Sequence, residues 1–165
     1  MSAQPKRSDR KQGNSSTPVI ENRKARHDYF IEETIEAGIA LVGSEIKSVR
    51  AGRVNLTDSY VRVEDGEAWL IGTHIAQWPQ AGPHFNHQPD RPRKLLLHRD
   101  EIEHLRGKVE QKGLTLVPLK LYFVRGRAKV QIGVARGKKL YDKREAIAER
   151  DAQREIERAL RNRRP

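Results

Sequence analysis

The sequence predicts a mainly β domain, a small antiparallel barrel flanked by two short helices. Three observations carry this. Apolar runs of strand length recur between residues 29 and 135, turn dipeptides such as Asp65-Gly66 separate them, and regular strand–helix alternation is missing. The chain of 165 residues is long enough for one domain with a core, and 33% charged against 5% aromatic residues keeps that core small.

Residues 1–21 are polar and basic, with Lys6, Arg7, Arg10 and Lys11 leading into Gly13-Asn14-Ser15-Ser16-Thr17-Pro18. Only Val19 and Ile20 are apolar, so this stretch has too little to bury against its ordering entropy and is expected to be a disordered arm. Tyr29-Phe30-Ile31 and Ile39-Ala40-Leu41-Val42 then predict strands, with Gly38 marking a bend or bulge. Ser44 stands where an N-cap would, Glu45 falls in the first turn of a short helix, and Gly52 can end it. Runs at 60–63 and 68–71 flank Asp65-Gly66, a hairpin signal.

Four prolines between residues 79 and 93 mark a long loop of the kind that is often functional. Leu95-Leu96-Leu97 is expected as a short buried strand. Ile102, Leu105 and Val109 repeat at helical spacing, with Asp100 and Glu101 near the start and Gly113 past the end. Strands over 114–124 and 128–135 follow, joined through Arg125-Gly126-Arg127, and Pro118 requires an edge or a bulge. The domain is thus expected over 22–135 and a basic tail over 136–165. Within the tail, 142–162 reads as a helix: Ala148, Ala152, Ile156 and Leu160 form a thin apolar stripe roughly opposite Arg150, Arg154, Arg158 and Arg161. Such a helix either forms on a partner or packs on its own domain, since alone it is marginal.

The net charge of +11 is unevenly spread. Residues 1–26 and 136–165 each carry +5, whereas 27–135 carry +1. Two basic extensions on a near-neutral body point to a polyanion partner; the plainer alternative is solubility. Without cysteine, disulfides and thiolate metal sites are excluded. No apolar run approaches the roughly 20 residues of a membrane helix, and the N-terminus lacks the apolar region of a secretory signal, so a soluble, cytoplasmic protein is expected.

Enzymatic chemistry finds little support. His84 and His87 lie close in a proline-rich loop, with Asp90 nearby, but match no strong metal signature, and hydrogen-bonded loop histidines are the expectation. Gly133-Val134-Ala135-Arg136-Gly137-Lys138-Lys139 has one residue too few between its glycines for a phosphate loop, and no hydroxyl after the lysine. No Gly-x-Ser-x-Gly is present, and Glu32, Glu33 and Glu36 read as an exposed strand face. Neither an enzyme, a cofactor nor a metal site is expected. Nucleic-acid binding fits better. Arg23-Lys24-Ala25-Arg26-His27 is a basic cluster, Arg91, Arg93 and Lys94 form another, and Lys129, Arg136, Lys138 and Lys139 lie on or after the last strand. Tyr29, Trp78 and Phe85 are either base-stacking or packing aromatics, and Trp69 is expected in the core.

Several long motifs occur in one order: residues 22–33 (Asn22-Arg23-Lys24-Ala25-Arg26-His27-Asp28-Tyr29-Phe30-Ile31-Glu32-Glu33), Lys47-Ser48-Val49-Arg50-Ala51-Gly52, Asp90-Arg91-Pro92-Arg93-Lys94-Leu95-Leu96-Leu97-His98, and 133–144. Over about 22–158 the chain resembles the SmpB (small protein B, SsrA/tmRNA-binding) family. The resemblance implies an oligonucleotide-binding (OB) barrel that binds the tRNA-like domain of tmRNA in trans-translation. It implies a tail that acts in the empty mRNA channel of stalled ribosomes, against small-subunit rRNA, and a monomer bound one-to-one to tmRNA. It implies RNA recognition by Glu36, Leu96 and Lys129 with the opening motif of Asn22, Arg23, Lys24, Arg26 and His27. Gly137, Asp142, Lys143 and Arg144 match the start of the ribosome-acting tail, to which Arg150 and Ile156 also belong. Gln88 departs from the acidic residue usual in the family's loop, and no role is carried to the tip of that loop.

Overall fold

The structure is a computed structural model that describes residues 17–162, with side chains 139–146 outside the described set. The disordered arm expected over 1–21 lies outside the described residues up to residue 16. Its last two residues are already in a strand.

The elements run in order as β1 (Ile20–Glu21), α1 (Arg23–Asp28), β2 (Tyr29–Ile39), α2 (Gly43–Arg50), β3 (Val54–Asn55), β4 (Tyr60–Glu64), β5 (Glu67–Ile71), β6 (His74–Ile75), β7 (Arg93–Leu96), α3 (Arg99–Lys112), β8 (Thr115–Val124), β9 (Arg127–Gly137) and α4 (Lys138–Asn162). Seven strands form one antiparallel sheet in the order β1-β8-β9-β2-β7-β5-β4, and β3 pairs with β6 apart from it. β4, at one end of the order, packs against β8 near the other, so the sheet curls round its core as the small-barrel expectation requires. The inner face is apolar: Leu56, Ala68, Leu70, Leu95, Leu121 and Ile132 are among the residues it buries.

Several local expectations need correction. Gly38 does not break the strand: β2 runs through it from Tyr29 to Ile39, with its irregularity between Ile31 and Glu33, while Ala40-Leu41-Val42, expected as strand, lies outside it and leads into α2. Gly38 has another purpose: a Cβ there would sit 3.1 Å from the Leu96 Cβ across the β2–β7 ladder. Leu95-Leu96-Leu97 is not uniformly buried, because β7 alternates and turns Leu96 outward. Trp69 is likewise half-buried on the outer face, between the buried Ala68 and Leu70. The Asp65-Gly66 turn is as expected, with both residues at positive φ, as two-residue hairpins require. Pro118 sits beside a bulge, where its missing N–H does no harm.

Ser44 is not the N-cap of α2. That position is Val42, whose N–H donates to Glu45 Oε1 at 3.0 Å. Ser44 Oγ instead meets His87 Nδ1 at 2.8 Å, and His87 Nε2 donates to the Ile75 carbonyl at 2.9 Å. Both ring nitrogens of the metal-candidate histidine are thereby occupied.

Glu45 and Arg93 are fully buried and paired, with Arg93 Nε 2.6 Å from Glu45 Oε2. Arg93 also donates to the carbonyls of Thr73 at 2.6 Å and Pro89 at 2.8 Å, and Arg91 bonds the second Glu45 oxygen. This is a correction for Arg93, expected to bind RNA: its guanidinium belongs to the core. Burial alone would raise the Glu45 carboxyl, but hydrogen bonds from Arg91, the Val42 N–H and Arg93 outweigh it and hold the carboxyl below its usual range.

Arg93→Met should destabilise the fold by about 3–5 kcal/mol in urea unfolding, since Glu45 is left charged and half-paired in the interior. Because the folded carboxyl titrates below the unfolded one, its contribution is complete above about pH 5 and declines as pH falls through the folded value. Glu45→Gln should flatten that acid limb of the stability curve, and an unchanged slope would show that Glu45 is not the group responsible.

Candidate nucleic-acid interface

The outer face of the sheet gathers residues far apart in sequence. On β2, Glu36 stands opposite Gln131 of β9, and Gly38 opposite Lys129. Lys129 in turn pairs with Tyr122 of β8, and Gly38 with Leu96 of β7. Period-two alternation then turns Glu36, Leu96, Lys129 and Tyr122 to one side. Leu96 is 55% exposed on this face. Beside it lies a groove of about 500 Å³ lined by Gly38, Leu96, Phe123, Arg127 and Lys129, among others.

Tyr122 Oη donates a hydrogen bond to Glu36 Oε2. Burial, then that bond and the carboxylate charge, push the phenol up to about 12. One carboxylate oxygen is thus fixed by the tyrosine, leaving Glu36 oriented to accept from a ligand with the other. Neither Tyr122 nor Gln131 was foreseen. Their place in the site depends on β8–β9 and β2–β9 register, and Tyr122 lies 86 residues from Glu36, so no local pattern reveals it. An apolar leucine, a carboxylate acceptor and an ammonium side by side suit a nucleobase and its phosphate.

A second basic area surrounds α1. Arg23, Lys24, Arg26 and His27 are exposed on it, and Lys24 Nζ is 2.7 Å from Asp58 Oδ1. Asn22, expected with them as an RNA contact, is corrected: it is buried and caps α1. Its Oδ1 accepts from the Ala25 N–H at 3.1 Å, while Nδ2 donates to the carbonyls of Pro118 at 2.9 Å and Leu56 at 3.2 Å. The same strand end brings up Arg136, 2.6 Å from Glu32, and Lys138, whose ammonium lies 5.2 Å from the centroid of the Phe30 ring. Lys94 is exposed on β7 and pairs with Glu67 at 3.1 Å. Glu33 meets His104 of α3 at 2.8 Å, so the three β2 glutamates each have a separate partner. Phe85 is 84% exposed at the loop tip, and Trp78 is half-buried at its base.

The tail helix α4 begins at Lys138, four residues before its expected start. Gly137, the last residue of β9, pairs with Tyr29. Arg150 and Ile156 are exposed, as is every residue from 147 to 162. Asp142, Lys143 and Arg144 lie in the helix, and their side chains, like that of Lys139, fall outside the described set. Among the described residues, no group of three or more His, Asp or Glu is placed to hold a metal ion, and no helix is long and apolar enough to cross a membrane.

Residues 19–162 match the family model described as SmpB protein. The chain belongs to the SmpB family. It is 68% identical over 145 residues to the SsrA-binding protein of Roseiflexus sp. (strain RS-1), covering 88% of this chain and 92% of that protein. It is 70% identical over 142 residues to the SsrA-binding protein of Chloroflexus aurantiacus (strain ATCC 29366 / DSM 635 / J-10-fl), covering 86% and 89%. A chain in the solved structure "tmRNA-SmpB: a journey to the center of the bacterial ribosome" is 61% identical, with a TM-score of 0.63 over 73% of this chain and 85% of that one. The SmpB motifs thus lie on a fold whose outer strand face joins Glu36, Leu96 and Lys129.

Because Tyr122 holds its proton up to about 12, parent and Tyr122→Phe should show equal phenolate absorbance at about pH 11. The stabilising bond to Glu36 is present below the ordinary tyrosine value near 10 and fades as pH rises through the folded value. A clear excess of phenolate in the parent at that pH would show the bond to be absent.

Proposed function

We propose that this chain binds the tRNA-like domain of tmRNA, one protein to one RNA, and carries it to stalled ribosomes in the cytoplasm. There the tail helix enters the empty mRNA channel, facing small-subunit rRNA. The role is one of binding and positioning, with no bond made or broken by the protein and no cofactor needed. The observation that carries this reading is the outer strand face: Glu36 set by Tyr122, Leu96 exposed over Gly38, and Lys129 alongside. Relatives named SsrA-binding proteins, such as those 68% and 70% identical, support it.

Recognition divides by chemistry. Glu36 accepts from a donor edge such as that of guanine, Leu96 packs on a base, and Lys129 meets a phosphate. Arg23, Lys24, Arg26, Arg136 and Lys138 add sequence-independent phosphate attraction along the α1 end. On α4, the Arg150, Arg154 and Arg158 stripe faces rRNA phosphates while Ile156 and Leu160 turn away from them. Gly137 and the Asp142-Lys143-Arg144 segment open this acting tail.

Glu36→Ala and Lys129→Ala should each weaken binding of the tRNA-like RNA about tenfold, the usual worth of one charge-assisted hydrogen bond. Only Lys129→Ala should flatten the log–log salt dependence, by roughly 0.7–0.9 for one phosphate. Gel shift across a salt series measures both, and parental affinity in both variants would remove these residues from the site. A chain stopped before Asp142 should keep tmRNA binding yet fail peptide transfer on ribosomes stalled without a codon. Normal transfer by the truncated chain would refute the division between body and tail.

A further inference from the structure

We infer that the RNA footprint extends past Leu96 onto the outer face of β7, β5 and β4, where Trp69, flanked by Arg62 and Lys94, stacks on a second, adjoining nucleotide. This rests on the proposed RNA-binding role of the Glu36–Leu96–Lys129 face. The register sets Trp69 directly opposite Arg62 on one side and Lys94 on the other. All three point outward, because their neighbours Val61, Ala68, Leu70, Arg93 and Leu95 are buried. A half-buried indole between two exposed cations is the arrangement that strand-binding surfaces use, a stacking plane with phosphate-neutralising charges at its rims. Nothing in the core requires a tryptophan at this position, since the inner face is filled by Ala68 and Leu70.

The patch is also continuous with the first site. β7 lies between β2 and β5 in the sheet and presents Lys94 and Leu96 on the same side. Trp69 is therefore one strand across and two residues along from Leu96, roughly 8 Å from strand spacing and rise. Arg62 is 3.1 Å from Glu64 and Lys94 is 3.1 Å from Glu67. Exposed pairs of this kind are worth little, so a phosphate can replace the carboxylate at small cost. The face does carry carboxylates of its own, Glu64 and Glu67, which disfavour a free anion. A nucleotide on Trp69 thus depends on the base stack as well as on charge.

The chain has two tryptophans, so the full-length Trp78→Phe protein reports on Trp69 alone. The probe is the tRNA-like domain of tmRNA, followed by fluorescence and gel shift together. Expected are quenching of Trp69 emission that saturates with the gel shift, and binding about five- to a hundredfold weaker in Trp69→Leu, the range of one lost base stack. Trp69→Phe should retain most of the affinity, and Arg62→Ala should flatten the salt slope. Emission unchanged while the RNA binds would overturn the inference and leave the Glu36 site standing, as would parental affinity in a folded Trp69→Leu. Failure of the RNA to bind the Trp78→Phe protein and the parent alike would overturn the RNA-binding role itself, and this extension with it.

Discussion

The buried pair of Glu45 and Arg93 is the constraint on which the rest of the structure depends. Two opposite charges out of water are tolerable only when their remaining hydrogen-bonding capacity is met, and here it is. Glu45 receives Arg91, Arg93 and the Val42 N–H, while Arg93 reaches the carbonyls of Thr73 and Pro89. The pair therefore ties the start of α2, the end of the proline loop and the first residue of β7 to one point. In a strand, fixing one side chain inward fixes the next outward. With Arg93 held inside, Lys94 and Leu96 must face solvent and Leu95 must enter the core. A one-residue slip would bury Lys94 and withdraw Leu96 from the outer face. The charged pair in the core is thus what presents the apolar residue at the surface.

Gly38 supplies the second half of that arrangement. Leu96 lies against the backbone of β2 because no Cβ stands between them. The leucine is low over the sheet, across Gly38 from Lys129, which forms no ion pair among the described residues, and one strand over from Glu36, oriented by Tyr122. Around this centre several surface cations are already matched: Lys24 with Asp58, Arg136 with Glu32, Lys94 with Glu67. Matched pairs explain how a body of near-neutral charge still offers many cations. In the proposed complex each would exchange a weak, solvated partner for a phosphate, with the gain coming from counterions released by the nucleic acid rather than from new charge.

How much of this was legible depends on the range of the interactions. The Asp65-Gly66 turn, the α3 periodicity with its Gly113 stop, and the β8–β9 hairpin are written within a few residues each and were read directly. What failed involved partners far apart. Ser44 has the chemistry of an N-cap, but α2 begins earlier, with Val42 as its N-cap, and the Ser44 hydroxyl meets His87 instead. Arg93 and Asn22 sit in basic motifs and look available to phosphate, yet contacts across 20 to 96 residues draw them inside. Leu95-Leu96-Leu97 and Trp69 read as core because hydropathy does not say which member of a strand faces out. The resemblance to a family located Glu36, Leu96 and Lys129; only the register shows them as neighbours and adds Tyr122.

The tail obeys a different economy from the body. Its helix starts where β9 runs out beside β2, with Lys138 over Phe30 and its ammonium 3.5 Å from the Arg26 carbonyl. Beyond that anchor, residues 147–162 are exposed on every side, including Ile147, Ile156 and Leu160. Ala, Glu, Arg and Leu favour the helix, but a stretch such as 147–162 without tertiary cover is near the balance point in water, and Arg150, Arg154 and Arg158 repel at i,i+4. The helix and an unfolded tail are therefore two ends of one equilibrium with a small free-energy gap. A polyanion along the arginine stripe removes the repulsion and a surface for the apolar stripe supplies the missing cover, and both favour the helical end. The body needs neither to hold its own site, because that site is fixed by buried charge and strand register. In the proposed function, capture of RNA by the body and ordering of the tail would in this way be separable steps, each with its own energetic source.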